Sequence, residues 1–188
     1  METGKGPPFP VSFGGVPWSD GRAREVGVGF TAKRISRTRS ITVDGSLEKV
    51  FPLVGPIRER EWAAGWDPDI LFPPAVLVEE RMVFKTRSHG GRDEADSTWI
   101  VSKYLPEQST IEYTVFTTER VWWIEIRCRE AEDPGTTRAE ITYTYLGLND
   151  AGNATNERAL EHMYAHDLKD WEAAINHYLR TGEQFKHP

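Results

Sequence analysis

Three acidic positions in this chain stand where a carboxylate could move a proton. Asp167 falls three residues after Tyr164 and four before Trp171, near the middle of an apolar stripe on a helix-like segment. A carboxylate buried there without a partner is costly, and its pKa rises unless a cation or hydrogen-bond donors compensate. It is either a polar contact or general base inside a cavity, or a structural hydrogen-bonding residue at a wet rim. Glu59 and Glu61 lie in the run Arg58-Glu59-Arg60-Glu61 beside Trp62. They either supply acid/base chemistry or form a solvated, ion-paired helix face.

His162 and His166 are one turn apart with Asp170 a turn further on, a spacing that can present three ligands to one metal. The helix phase puts all three opposite or beside the apolar stripe, and no H-E-x-x-H run accompanies them. His89 is a lone histidine in the loop SHGGRDEAD. No Ser-His-Asp order, reactive-cysteine motif, phosphate-binding loop or dinucleotide fingerprint occurs in a supporting context. Neither a metal nor a cofactor is expected.

The aromatic load is the other chemical feature, with 7 Trp, 6 Tyr and 8 Phe in 188 residues. Such side chains combine a large apolar area with a polar atom that can meet a ligand oxygen. Trp62, Trp66, Trp99, Tyr113, Trp122, Tyr143, Tyr145 and Trp171 form the set expected to point inward and bind a ligand. The competing reading for each is plain core packing.

The elements that would position these residues follow from periodicity. In RSITVD, Ile41 and Val43 alternate with polar neighbours as in a half-buried strand. SLEKVFPLVG, with Ser46 as cap, and IREREWAA read as two short helices limited by Pro52, Gly55, Gly65 and Pro68. Five runs then read as strands: AVLVEERMVFKT, STWIVSKYLP, STIEYTVFTTE, RVWWIEIRCRE and TRAEITYTYLGLN. Ile111, Tyr113 and Val115 share one face, as do Trp122, Ile124, Ile126 and Cys128, and Ile141, Tyr143 and Tyr145; the short connections favour an antiparallel meander. The last segment repeats Leu160, Met163, Tyr164, Leu168, Trp171, Ile175, Tyr178 and Leu179 at three- and four-residue steps, a long amphipathic helix started by Asn153 or Thr155 and ended by Gly182.

Length and composition fit one domain with appendages. Residues 1–38 are rich in Gly and Pro and read as a flexible arm, with Phe9, Phe13 and Trp18 as docking points; residues 39–182 form the domain and 183–188 a tail. The net charge is −6, and residues 41–188 hold 16 Lys+Arg against 26 Asp+Glu, so no nucleic-acid partner is expected. No stretch is apolar enough to span a bilayer and no secretory layout opens the chain, so there is no membrane span. The single Cys128, inside a strand-like run, suits a buried thiol in a reducing cytoplasm. The oligomeric state stays open, a homodimer included.

This order of elements resembles the SRPBCC superfamily, also called START-like or birch-allergen-like, and within it the bacterial branch termed polyketide cyclase/dehydrase-like. The resemblance rests on VFPLVGPIREREWAAGWDP, STWIVSKYLP, TRAEITYTYLGLNDAGN and DWEAAINHYL, and covers about residues 39–182. It implies an α+β helix-grip fold, in which a curved antiparallel sheet of about six strands wraps the long C-terminal helix. It also implies a cavity between them that receives apolar molecules. The leader departs from the usual domain, and the superfamily offers no universal catalytic residue to carry across, so function rests on the site. The expected partner is a small hydrophobic or aromatic ligand, lipid-like or polyketide-like. One alternative is a cofactor-free polyketide cyclase, aromatase or dehydratase using a cavity carboxylate or tyrosine; another is a protein-interaction module with a collapsed cavity.

Overall fold

The computed structural model describes residues 29–74, 77–87 and 96–185. Seven strands form one antiparallel sheet: β1 (Arg34–Val43), β2 (Asp69–Phe72), β3 (Val83–Thr86), β4 (Ser97–Leu105), β5 (Thr110–Phe116), β6 (Arg120–Glu130) and β7 (Thr137–Gly147), in the spatial order β1-β7-β6-β5-β4-β3-β2. The alternation read in β5, β6 and β7 is the observed inward face, with Ile111, Tyr113, Val115, Trp122, Ile124, Ile126, Cys128, Ile141, Tyr143 and Tyr145 all buried. A bulge between Val101 and Lys103 interrupts the β4–β5 register, a feature that locally bends a strand and increases its twist.

Against the concave face lies a C-terminal helix of 32 residues, made of α2 (Asp150–His162), a π turn (Met163–Asp167) and α3 (Leu168–Thr181). Leu168 and Ile175 are fully buried in the core with Ile41, Val43, Val50, Leu53 and Val54. Edge strand β1 would leave backbone donors unpaired, and α3 supplies partners: Glu172 accepts from the Thr42 amide at 2.8 Å and Asn176 from the Asp44 amide at 2.7 Å. Tyr164 adds a hydroxyl donor to the Arg37 carbonyl. The helix is thus fixed to the sheet by polar contacts along one edge as well as by apolar burial.

Several sequence expectations change. There are seven strands rather than about six, because Asp69–Phe72 pairs with β3 although Pro68 and Pro73 flank it. Of the run at 75–86, the described residues 77–86 are strand only over Val83–Thr86; Arg81 just before it takes a left-handed φ of 71°, which an extended strand does not tolerate. IREREWAA forms a single 3₁₀ turn, Glu59–Glu61, and the first short helix is α1 (Leu47–Val50) followed by a 3₁₀ turn (Phe51–Val54). Ser46 precedes α1 without a side-chain cap bond. Asn149, rather than Asn153 or Thr155, caps α2, its Oδ1 accepting from the Gly152 amide at 2.8 Å. Gly182 ends the helix at φ 74°, as expected. Strand β1 starts at Arg34, ahead of the domain start expected at 39. Phe9, Phe13, Trp18 and His89 lie outside the described residues.

Candidate functional site

The sheet register assembles an aromatic wall. Trp99 of β4 faces Val115 of β5, Val115 faces Trp122 of β6, and Trp122 faces Tyr145 of β7, giving one row across four strands. The next row runs Val101, Tyr113, Ile124, Tyr143. Side chains in a row point to the same face, so strand pairing alone brings these rings together. Trp99 meets Tyr113 at 5.8 Å and Trp122 at 6.4 Å between ring centres, and Tyr143 stacks on Tyr145 at 5.9 Å.

The wall does not close onto the helix. A space of about 580 Å³ lies between Trp99, Trp122, Tyr143 and Tyr145 on the sheet and Ala159, Met163 and Asp167 on the helix. Burial pushes the phenols of Tyr143 and Tyr145 well above their ordinary range, and the described residues give neither hydroxyl a hydrogen-bond partner. Both are neutral O–H groups able to meet an oxygen or nitrogen of an occupant. A smaller space of about 230 Å³ lies beyond Asp167, bounded by Trp62, Trp171 and Phe185 among others.

No protein-family model and no curated protein matches the chain. Solved structures do. Norcoclaurine synthase from Thalictrum flavum, in complex with dopamine and hydroxybenzaldehyde, matches with a TM-score of 0.60 at 8% identity, over 79% of this chain and 88% of that one. Ara h 8.0201 matches with a TM-score of 0.56 at 12% identity, over 79% and 99%. An uncharacterised protein from Rhizobium leguminosarum matches with a TM-score of 0.53 at 15% identity, over 78% and 97%. The chain shares the helix-grip fold of these structures.

Within that helix grip, the three acidic candidates part company. Glu61 is held on the outside by a two-pronged bond from Arg58, Nε to Oε1 at 2.9 Å and Nη2 to Oε2 at 2.7 Å, and it also accepts from the Tyr178 hydroxyl. The Arg58 contact holds its carboxyl below the usual range, so Glu61 is occupied in tying the 3₁₀ turn to α3. Glu59 goes the other way. The residue is half-buried, and its carboxyl has no hydrogen bond or ion pair among the described residues. Desolvation alone pushes it up to about 8, and its charge acts on the buried Tyr113 and Tyr143, although Glu59 lines neither of the two spaces. The solvated, ion-paired face expected for this turn therefore holds for Arg58 and Glu61 and fails for Glu59.

Asp167 is half-buried at the junction of the two spaces, its Oδ1 3.2 Å from His162 Nδ1. These residues are five apart, and the π turn, with more residues per turn than an α-helix, is what lines them up. His162 and His166 also lie close, ring centres 5.1 Å apart, but no group of three His, Cys, Asp or Glu among the described residues could hold a metal.

The eight aromatic candidates also divide. Trp99, Trp122, Tyr143 and Tyr145 line the larger space, and Trp66 and Tyr113 back it through Trp99. Trp62 is 1% exposed, donates to the Leu53 carbonyl at 2.7 Å and packs edge-on against Trp171 at 5.5 Å. These two belong to the packing around the smaller space. Sequence reading missed Arg120, which lines the larger one. The signal was present: Arg120 has the inward parity of Trp122, Ile124 and Ile126, but it adjoins the turn TTER, where polar residues are ordinary.

Proposed function

We propose that the protein binds a small, flat, apolar or aromatic molecule in the space between the sheet and the C-terminal helix. The observation that carries this reading is the aromatic wall of Trp99, Trp122, Tyr143 and Tyr145, which borders about 580 Å³ of room instead of filling it. Cores close to crystalline density, and an apolar space of several hundred Å³ with a few inward polar atoms has the character of a ligand site. The same fold accommodates small aromatic molecules in norcoclaurine synthase, whose structure holds dopamine and hydroxybenzaldehyde. Native mass spectrometry of gently purified protein tests the reading. A co-purifying molecule of a few hundred daltons, lost on denaturation, is the supporting result; bare protein that also takes up no aromatic compound in excess speaks against it.

Glu59 favours a second reading, a cofactor-free proton-transfer enzyme of the polyketide cyclase, aromatase or dehydratase kind. A carboxyl at about 8 is a mixture of acid and base near neutrality, the condition under which one group both accepts and returns a proton. Asp167 and Tyr143 would complete the polar set. Turnover of a co-purified or screened aromatic compound that survives Glu59→Gln and Asp167→Asn together would overturn catalysis by these groups and leave the binding reading intact.

A further inference from the structure

Among the described residues, Arg120 is a cation without an anion. Strand parity turns it inward, where its guanidinium carbon lies 4.6 Å from the Trp122 ring centre and 5.8 Å from that of Tyr145. Its Nη1 is buried and donates to nothing, and no carboxylate among the described residues pairs with it. Asp167, the one carboxylate lining the cavity among the described residues, already faces His162. Arg158, exposed on the helix side of the same space, also lacks an ion-pair partner among the described residues.

Removing a guanidinium donor from water without an acceptor is unfavourable, and contact with ring faces offsets only part of that cost. Buried polar groups are normally satisfied, so an unpaired donor at the edge of an open space indicates what the space receives. A planar fork of N–H groups fits a two-oxygen anion better than any neutral acceptor.

We propose that the occupant carries one oxyanion group, of the carboxylate or sulfonate kind, which pairs with Arg120 while the rest of a flat aromatic skeleton lies against Trp99, Trp122 and Tyr145. This rests on the binding reading above and narrows it to aromatic acids. Arg158 adds a second positive charge at the rim, which favours an anion entering over a cation or a neutral lipid.

The test uses two fluorescent probes with one ring skeleton: anilinonaphthalene sulfonate and its neutral parent, phenylnaphthylamine. Titrated into the full-length protein, the sulfonate is expected to bind about tenfold or more tightly than the neutral compound. Arg120→Gln should weaken the sulfonate far more than the neutral probe and so remove that preference, and Arg120→Lys should restore only part of it. Circular dichroism checks that the variants fold; if Arg120→Gln does not, the wild-type preference and its reduction in Arg120→Lys still decide. Equal affinities for the two probes in wild type, or a sulfonate affinity unchanged in Arg120→Gln, overturn the anion assignment while the cavity stands. Saturable binding of neither probe overturns the cavity reading and the anion assignment with it.

Discussion

Replacing Glu59 by Gln should abolish a pH dependence of stability that the wild type carries. The Glu59 carboxyl moves from an ordinary 4.5 to about 8 on folding, with desolvation as the cause. Below the lower value the group is protonated in both states and costs nothing. Between the two values the unfolded chain releases the proton and the folded chain keeps it, so stability falls as pH rises by about 1.4 kcal/mol per unit. Above about 8 both states are ionised and the full loss is present. The interval corresponds to a ceiling of about 5 kcal/mol, and since the residue keeps some accessible area a value of about 2–3 kcal/mol is the working figure. Gln has nearly the same shape and no proton to lose. Urea denaturation at several pH values from about 5 to about 9 should therefore give wild type and Glu59→Gln similar stability at the acid end and a widening advantage for the variant toward the alkaline end. Parallel curves across that range would refute the reasoning, because they would mean that Glu59 titrates as a solvated carboxylate.

Gly152→Ala should destabilise by about 1–3 kcal/mol in urea, because the new Cβ would lie 2.1 Å from the Glu119 carbonyl oxygen and force the start of α2 away from the β5–β6 turn. Trp62→Phe should cost about 1–3 kcal/mol by the same measurement, since it leaves the buried Leu53 carbonyl without its 2.7 Å donor. Cys128 is buried with its thiol pushed up to about 12, so a thiol reagent at neutral pH should label it at the rate of unfolding and far more slowly than a free cysteine.

The sheet was legible where one face is buried and the other is wet. In β6, Trp122, Ile124, Ile126 and Cys128 alternate with exposed or half-exposed neighbours, and the structure repeats that alternation residue by residue. The long helix was legible for the same reason, since Leu160, Leu168 and Ile175 keep one side to the core. The π turn was hidden because the apolar spacing around Met163 and Tyr164 accommodates an extra residue without breaking the stripe. The second short helix was over-read: its alternating charges offer no apolar face, and only tertiary contacts decide that Glu61 pairs with Arg58 while Glu59 is left desolvated without a partner among the described residues. Of the site, the aromatic half could be read from parity, whereas the division of Trp62 and Trp171 from the larger space depends on how the 3₁₀ turn packs against α3. That packing is a long-range outcome that no local pattern encodes.

Filling the space is the most direct test of the binding reading. Ala159 lines it from the helix side, so Ala159→Trp should occupy the room that an aromatic ligand would take. Titration with neutral phenylnaphthylamine, followed by quenching of tryptophan fluorescence, should show one saturable site in wild type and none in a folded Ala159→Trp protein. No saturable site in wild type, or the same affinity in both proteins, would contradict binding between the sheet and the helix.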